Sequence, residues 1–323
     1  MVPAGAVRRR DVGGRPPQLS IVIPCFNEEQ SLPACVDGVA RYAASKPAGS
    51  IEVVLVDDGS TDGTWATITR LLQGRAGWRA VRLISNRGSH VALRCAYRHT
   101  TGEQVVNLPV DLQDPISNID RFREAMEQQG ADAVLAVRQT RADGWFAEST
   151  SRLYHGAMHL VHLRNVPIEG TSQFLLTRRV VDQINAFDDR GFTLEGFLAS
   201  APLKLAIIWY DREAAVGRVS RWTLARKIQH ALNTILSFSN VPIRALSLLG
   251  AAVALAGLAY AVFVFARFAL FGGGATGWPS LMTAVLVLGG LNLLALGLIG
   301  EYMWRILDET RRRPLYQVAD RIE

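Results

Sequence analysis

Apolar positions recur along the first half of the chain with two alternating periods. Leu19-Ser-Ile-Val-Ile-Pro24, Ile51-Glu-Val-Val-Leu-Val-Asp57 and Gln104-Val-Val-Asn-Leu108 are short, nearly continuous apolar runs. Such runs mark strands buried on both faces. Helix-like runs separate them, and this alternation from Leu19 to about Val137 predicts a mostly parallel sheet with right-handed crossovers. Ser31 and Pro33 suit the start of one helix, and Thr61 or Asp62 suits the cap of the next. Arg138 to Glu148 is polar and reads as a loop beside the strand ends. From Leu224 the period changes again. Leu224, Ile228, Leu232, Ile235 and Phe238 share a helical face, with Arg226, Lys227 and Gln229 off it. That pattern fits a helix lying on a membrane and equally one docked on the globular domain.

Farther on the periodicity disappears. Ala245 to Ala266 and Pro279 to Gly300 contain no charged residue, and at 1.5 Å per residue each reaches about 33 Å, enough for a ~30 Å hydrocarbon layer. They are expected to form two transmembrane helices. The expected organisation is a flexible basic tail over 1–18, an α/β catalytic domain over 19–222, an amphipathic interface helix over 223–243, two transmembrane helices over 244–308 and a basic cytoplasmic tail over 309–323.

Composition and charge refine this picture. The 49% hydrophobic content exceeds what a core needs because it includes the two apolar segments. The net charge of +6 is concentrated beside them: Arg218, Arg221, Arg226, Lys227 and Arg244 before the first, Arg305, Arg311, Arg312 and Arg313 after the second. The connecting stretch from Phe268 to Trp278 is uncharged, so both flanks are expected in the cytoplasm, with Arg267 snorkelling at the far side. Attraction to anionic headgroups explains this basic charge better than a nucleic-acid partner does. Residues 1–18 hold no apolar run of signal-peptide length, so the catalytic part is expected to stay in the cytosol on the inner membrane. Three cysteines, Cys25, Cys35 and Cys95, have no paired spacing and read as reduced thiols.

The chemistry lies where strands end. In open α/β sheets ligands bind beyond the carboxyl ends of strands. Three such ends carry acids here: Cys25-Phe26-Asn27-Glu28, Asp57-Asp58-Gly59-Ser60-Thr61-Asp62-Gly63-Thr64, and Pro109-Val110-Asp111-Leu112-Gln113-Asp114-Pro115. Together with Gly217-Arg-Val-Ser220-Arg221-Trp222, Gly300-Glu301-Tyr302 and Arg313-Pro-Leu-Tyr316, these motifs resemble the family 2 glycosyltransferases of GT-A-type fold, over about residues 19 to 318. The branch resembled is the polyisoprenyl-phosphate glycosyltransferases. The resemblance implies a membrane-anchored inverting enzyme that moves one sugar from a nucleotide sugar to a polyprenyl phosphate lipid.

It also implies residue roles. Pro24, Phe26, Glu28, Asp57, Asp58, Ser60 and Gln113 would line the nucleotide, and Asp111 and Asp114 would serve the reaction, with Asp111 and Gln113 holding Mg²⁺ or Mn²⁺. Capping of the helix near Ser117 is the competing use of Asp111 and Asp114. The family's Asp-x-Asp appears here as Pro109-Val110-Asp111, without its first carboxylate. A lipid phosphate is already largely dianionic at neutral pH and needs positioning more than deprotonation. Arg138, Arg141, Arg212, Ser220 and Arg221 are the candidates to hold it, because guanidinium binds phosphate bidentately. His155, His159 and His162 share a helical face and could bind a metal, though no carboxylate or cysteine pattern supports this; Glu195 is a possible substrate contact but reads foremost as a helix-surface carboxylate. Gly170-Thr-Ser172-Gln-Phe replaces an Asp-Phe-Arg run of the family. A processive polysaccharide synthase and a non-catalytic sugar-nucleotide-binding scaffold are the alternatives, and homo-oligomerisation stays open.

Overall fold

The computed structural model describes residues 16–111, 115–138, 171–187, 192–210, 241–271, 277–311 and 314–323. The chain forms two compact units, one of Met1–Arg226 with Pro314–Glu323, the other of Lys227–Arg313.

The first unit is built on an eight-stranded sheet in the order β7-β5-β6-β4-β1-β2-β3-β8. The apolar runs become β1 (Leu19–Cys25), β2 (Ile51–Asp57) and β4 (Gln104–Asn107), and β3 (Trp78–Leu83) joins them in parallel pairing. Helices α1 (Leu32–Ala44), α2 (Thr64–Leu72), α3 (Ser89–Arg98) and α4 (Asn118–Gln129) alternate with these strands along the chain. Crossover helices cover both faces of the sheet, which is why its strands read as unbroken apolar runs. β5 (Ala133–Arg138) and β7 (Leu205–Tyr210) pair in parallel, while β6 (Thr171–Thr177) runs antiparallel between β5 and β4. Two short helices, α5 (Arg178–Ala186) and α6 (Leu194–Ser200), lie between β6 and β7 in sequence. The core gathers Ile21, Ile23, Leu55, Ile68, Val106, Leu108, Ile119 and Phe122, all fully buried.

The last strand departs from the sequence expectation of a basic tail over 309–323. Val318–Ile322 forms β8, antiparallel to β3, with Arg82 opposite Asp320 and Ala80 opposite Ile322. Gln317 carbonyl accepts from Ile84 N at 3.0 Å, Trp65 Nε1 donates to Asp320 at 3.3 Å, and Arg98 lies over the Tyr316 ring at 5.8 Å. A five-residue segment with two charges carries almost no strand signal of its own. What orders it is the open edge of β3.

The second unit consists of two long helices, α7 (Val241–Phe271, 31 residues) and α8 (Trp278–Thr310, 33 residues). Both extend past the apolar segments Ala245 to Ala266 and Pro279 to Gly300. Within α8, Val287–Asp308 is long and apolar enough to cross a membrane, and among the described residues it is the one stretch that meets that measure. In α7 a shorter apolar stretch, Leu248–Tyr260, stands out. The amphipathic segment over 223–243 lies almost wholly outside the described residues.

Candidate active site

Three turns at the carboxyl rim are bound to one another. β1 and β2 end in register, Cys25 beside Asp57, and Asp58 N donates to Cys25 carbonyl at 2.8 Å. Asn27 adopts φ +53, a left-handed conformation that asparagine tolerates. This turns its amide outward to donate to Ser60 Oγ at 2.9 Å, while its Oδ1 accepts from Thr61 N at 2.9 Å. Glu28 N donates to Thr64 Oγ1 at 2.9 Å, and Glu29 Oε2 accepts from Gly63 N at 3.1 Å. The N-cap position of α2 is Gly63 rather than Thr61 or Asp62, and Asp62, one residue earlier, accepts from Thr64 N at 3.0 Å.

The third turn, after β3, is held by Asp58. One of its oxygens accepts from Arg87 N and the other from Gly88 N, both at 2.8 Å. Burial raises the Asp58 pKa, and the two amide bonds work against that rise. Asp57 is fully buried. Its Oδ1 accepts from Ser60 N at 2.9 Å, and its Oδ2 faces Arg82 Nε at 3.4 Å. Gly59 sits between them at φ +67, where a Cβ would stand 2.5–2.7 Å from the backbone of Ser85 and Asn86. Only glycine lets the second and third turns approach this closely.

These bonds bear on the residues expected to line a nucleotide. Asp57, Asp58 and Ser60 reach one rim, but they are buried and their side chains bind the turns themselves. Pro24, Phe26 and Glu28 stay half-buried at the end of β1. Sequence reasoning missed Arg82. It stands opposite Asp57 in the β2–β3 register, Nη2 donates to Ser60 carbonyl at 3.3 Å, and the guanidinium lies 6.0 Å from the Trp65 ring centroid. The available signal was a charged residue one position before the end of a largely apolar strand, a signal that Arg79 in the same strand also carries.

Asp111 enters from β4. Leu108 N still donates to Val22 carbonyl at 2.9 Å, so the chain leaves the sheet alongside β1 and reaches Asp111 half-buried. Burial pushes the Cys35 thiol up to about 12, and the charges of Asp111 and Glu28 add to it. Gln113 and Asp114 lie outside the described residues, as do Arg141, Arg212, Ser220, Arg221, His155, His159 and His162, and the side chain of Arg138. Among the described residues no group of three or more His, Cys, Asp or Glu is arranged to hold a metal ion.

Beside the third turn, α3 meets α6. Glu195 is turned inward, its side chain 16% exposed, with Oε2 3.8 Å from His90 Nδ1. The rings of Phe187, Phe192 and Phe197 pack at 5.8–6.1 Å, and Arg94 lies over Phe192 at 4.9 Å while donating to Phe187 carbonyl.

An α/β domain with acids at adjoining parallel-strand ends presents a rim suited to a ligand, and comparison gives the family. The glycosyl transferase family 2 model matches residues 20–185, and the chain belongs to that family; it is a glycosyltransferase. Similar proteins include the bactoprenol glucosyl transferase of Shigella phage SfX, 32% identical over 94% of this chain and 99% of that one. Another is the undecaprenyl-phosphate 4-deoxy-4-formamido-L-arabinose transferase of Edwardsiella ictaluri, 31% identical over 94% and 93%. Among solved structures, the mannosyltransferase PcManGT from Pyrobaculum calidifontis, in complex with GDP-Man and Mn²⁺, is 18% identical, covering 87% of this chain and 88% of that one at a TM-score of 0.45.

Proposed function

We propose that this enzyme transfers one sugar from a nucleoside-diphosphate sugar to a polyprenyl phosphate at the cytoplasmic face of a membrane. One observation carries the reading: similarity to transferases named for bactoprenol and undecaprenyl phosphate runs through 94% of this chain, well past the residues 20–185 of the family model. The reaction needs little proton chemistry. A phosphate oxygen of the lipid forms a bond to C1 of the sugar as the bond from C1 to the donor's diphosphate breaks, with inversion. The electron pair leaves with the nucleoside diphosphate, and a phosphate dianion requires no strong general base.

Charge is the larger demand. Arg138, Arg141, Arg212, Ser220 and Arg221 are proposed to gather the lipid phosphate, and the half-buried Pro24, Phe26 and Glu28 to meet the nucleotide. Asp111 fits a hard divalent cation, Mg²⁺ or Mn²⁺, as a single carboxylate with Gln113 and donor oxygens completing the shell. Such an ion would stabilise the negative charge growing on the leaving diphosphate.

The pairing of β8 with β3 supports a membrane hairpin. The chain leaves the sheet after β7 and returns to it in β8, so segments that cross a bilayer between them must cross an even number of times. With α8 as one crossing, α7 is proposed as the other, and the basic residues flanking the pair favour the cytoplasm for both ends.

The test is product analysis. Membranes containing the protein, given radiolabelled nucleotide sugars and polyprenyl phosphate and then extracted, should yield a lipid-linked monosaccharide. Asp111→Ala and excess chelator should each lower that yield about 10²-fold or more. Polymer instead of lipid-linked monosaccharide, or no product with any donor, refutes the acceptor; full activity in chelator refutes the metal.

A further inference from the structure

Glu195 is a carboxylate with an oxygen to spare at the edge of the site. Its Oε2 is buried and accepts no hydrogen bond among the described residues. The 3.8 Å to His90 Nδ1 is beyond hydrogen-bond length, though close enough for attraction when the imidazole is charged. His90 follows Gly88 by two residues, and Gly88 N is bound to Asp58, so the first turn of α3 is tied to the rim where β1, β2 and β4 end. On the same helix Tyr97 is 1% exposed, and its hydroxyl also has no partner among the described residues.

We propose that Glu195 binds hydroxyl groups of the transferred sugar and so selects which nucleotide sugar the enzyme accepts. This rests on the glycosyl transfer read above. A sugar hydroxyl can donate, which suits a carboxylate oxygen that accepts no hydrogen bond among the described residues. Tyr97 lies close enough that the charge of Glu195 adds to the effect of burial in raising its pKa, so the phenol stays neutral and keeps its proton for an acceptor. The carboxylate is also held in place. Thr193 Oγ1 accepts from Gly196 N at 3.2 Å, and the three phenylalanine rings with Arg94 brace α6 on either side. A site with a buried polar atom prepared for a hydroxyl rejects the sugar lacking it far better than an apolar site rejects a surplus group.

Full-length protein in detergent is titrated calorimetrically with UDP-glucose, UDP-galactose, UDP-N-acetylglucosamine, GDP-mannose and the parent diphosphates, then with deoxy analogues of the preferred donor. Wild type should favour one sugar and bind at least one of its deoxy analogues about 10²-fold more weakly. Glu195→Gln, which keeps the size of the side chain, should erase most of that gap while affinity for the parent diphosphate stays within about threefold. Tyr97→Phe serves as a second variant and should narrow the gap less. If Glu195→Gln keeps the wild-type ratio between preferred donor and deoxy analogue, the pair only braces α3 against α6 and the proposal is wrong, whatever happens to the thermal midpoint. Because binding is read without transfer, an absence of lipid product bears on the acceptor reading alone.

Discussion

Replacing Gly59 by alanine tests how tightly the turns of the site are built. Two terms add. A left-handed backbone costs an alanine about 1–2 kcal/mol. The new Cβ would also stand 2.5 Å from Ser85 C, 2.7 Å from Asn86 N and 2.7 Å from Ser85 Cα, backbone atoms that no rotamer change can move aside. Forcing a methyl into such a contact costs about 1–3 kcal/mol more. Gly49 provides the internal control, since it has φ +75 with nothing within 4 Å of an added Cβ, so Gly49→Ala carries the backbone term alone. The difference between the variants is then the contact term, about 1–3 kcal/mol, and at about 2–4 °C per kcal/mol for a domain of this size it is a gap of about 2–12 °C in thermal midpoint. Function should separate them further. Ser85 and Asn86 lead directly into Arg87 and Gly88, whose amides hold Asp58, so Gly59→Ala should also weaken donor binding while Gly49→Ala leaves it intact. Equal midpoints and equal donor affinities would show that the two turns do not press on one another as described.

Two further expectations concern charge. Arg82→Ala leaves the buried Asp57 carboxylate facing only Ser60 N; breaking a fully buried pair costs about 3–5 kcal/mol, and because Arg82 is itself 37% exposed the loss should be nearer about 2 kcal/mol by denaturant titration, with an unchanged midpoint counting against the pairing. His99 is held below its usual value, first by burial and then by the charges of Arg321, Arg79 and Arg98, against the bond from its Nδ1–H to Cys95 carbonyl. Its folded pKa is thus depressed, so its contribution is complete above about pH 6.5 and is lost as pH falls through the folded value; stability of wild type should decline on acidification from pH 7 toward 5, and His99→Gln should flatten that slope.

How much of this was readable from sequence depends on how local the cause was. β1, β2 and β4 were legible because a strand buried on both faces must be apolar throughout, and the acids at their ends were legible as a rim. The destinations of those acids were not. Whether Asp58 meets a ligand or two backbone amides depends on where the turn after β3 passes, and that is set by Gly59 and the register of β2 on β3. Glu195 was misread for the same reason: a seven-residue helix has too little periodicity to show its inward face, which is fixed by Phe187, Phe192 and Phe197. β8 left no local trace at all, because its order comes from a partner strand that lies beyond the whole apolar region in sequence.

That partner relation sets an order of events during synthesis. Seven strands of the sheet are made first, then both long apolar helices, and the eighth strand after them. Until β8 is made and docks, β3 keeps a bare row of amides and carbonyls, and the region near Arg82 and Asp57 lacks its outer neighbour. A nascent chain stalled in the apolar region therefore carries an unfinished catalytic domain with an adhesive edge. Docking of β8 is the step that closes it.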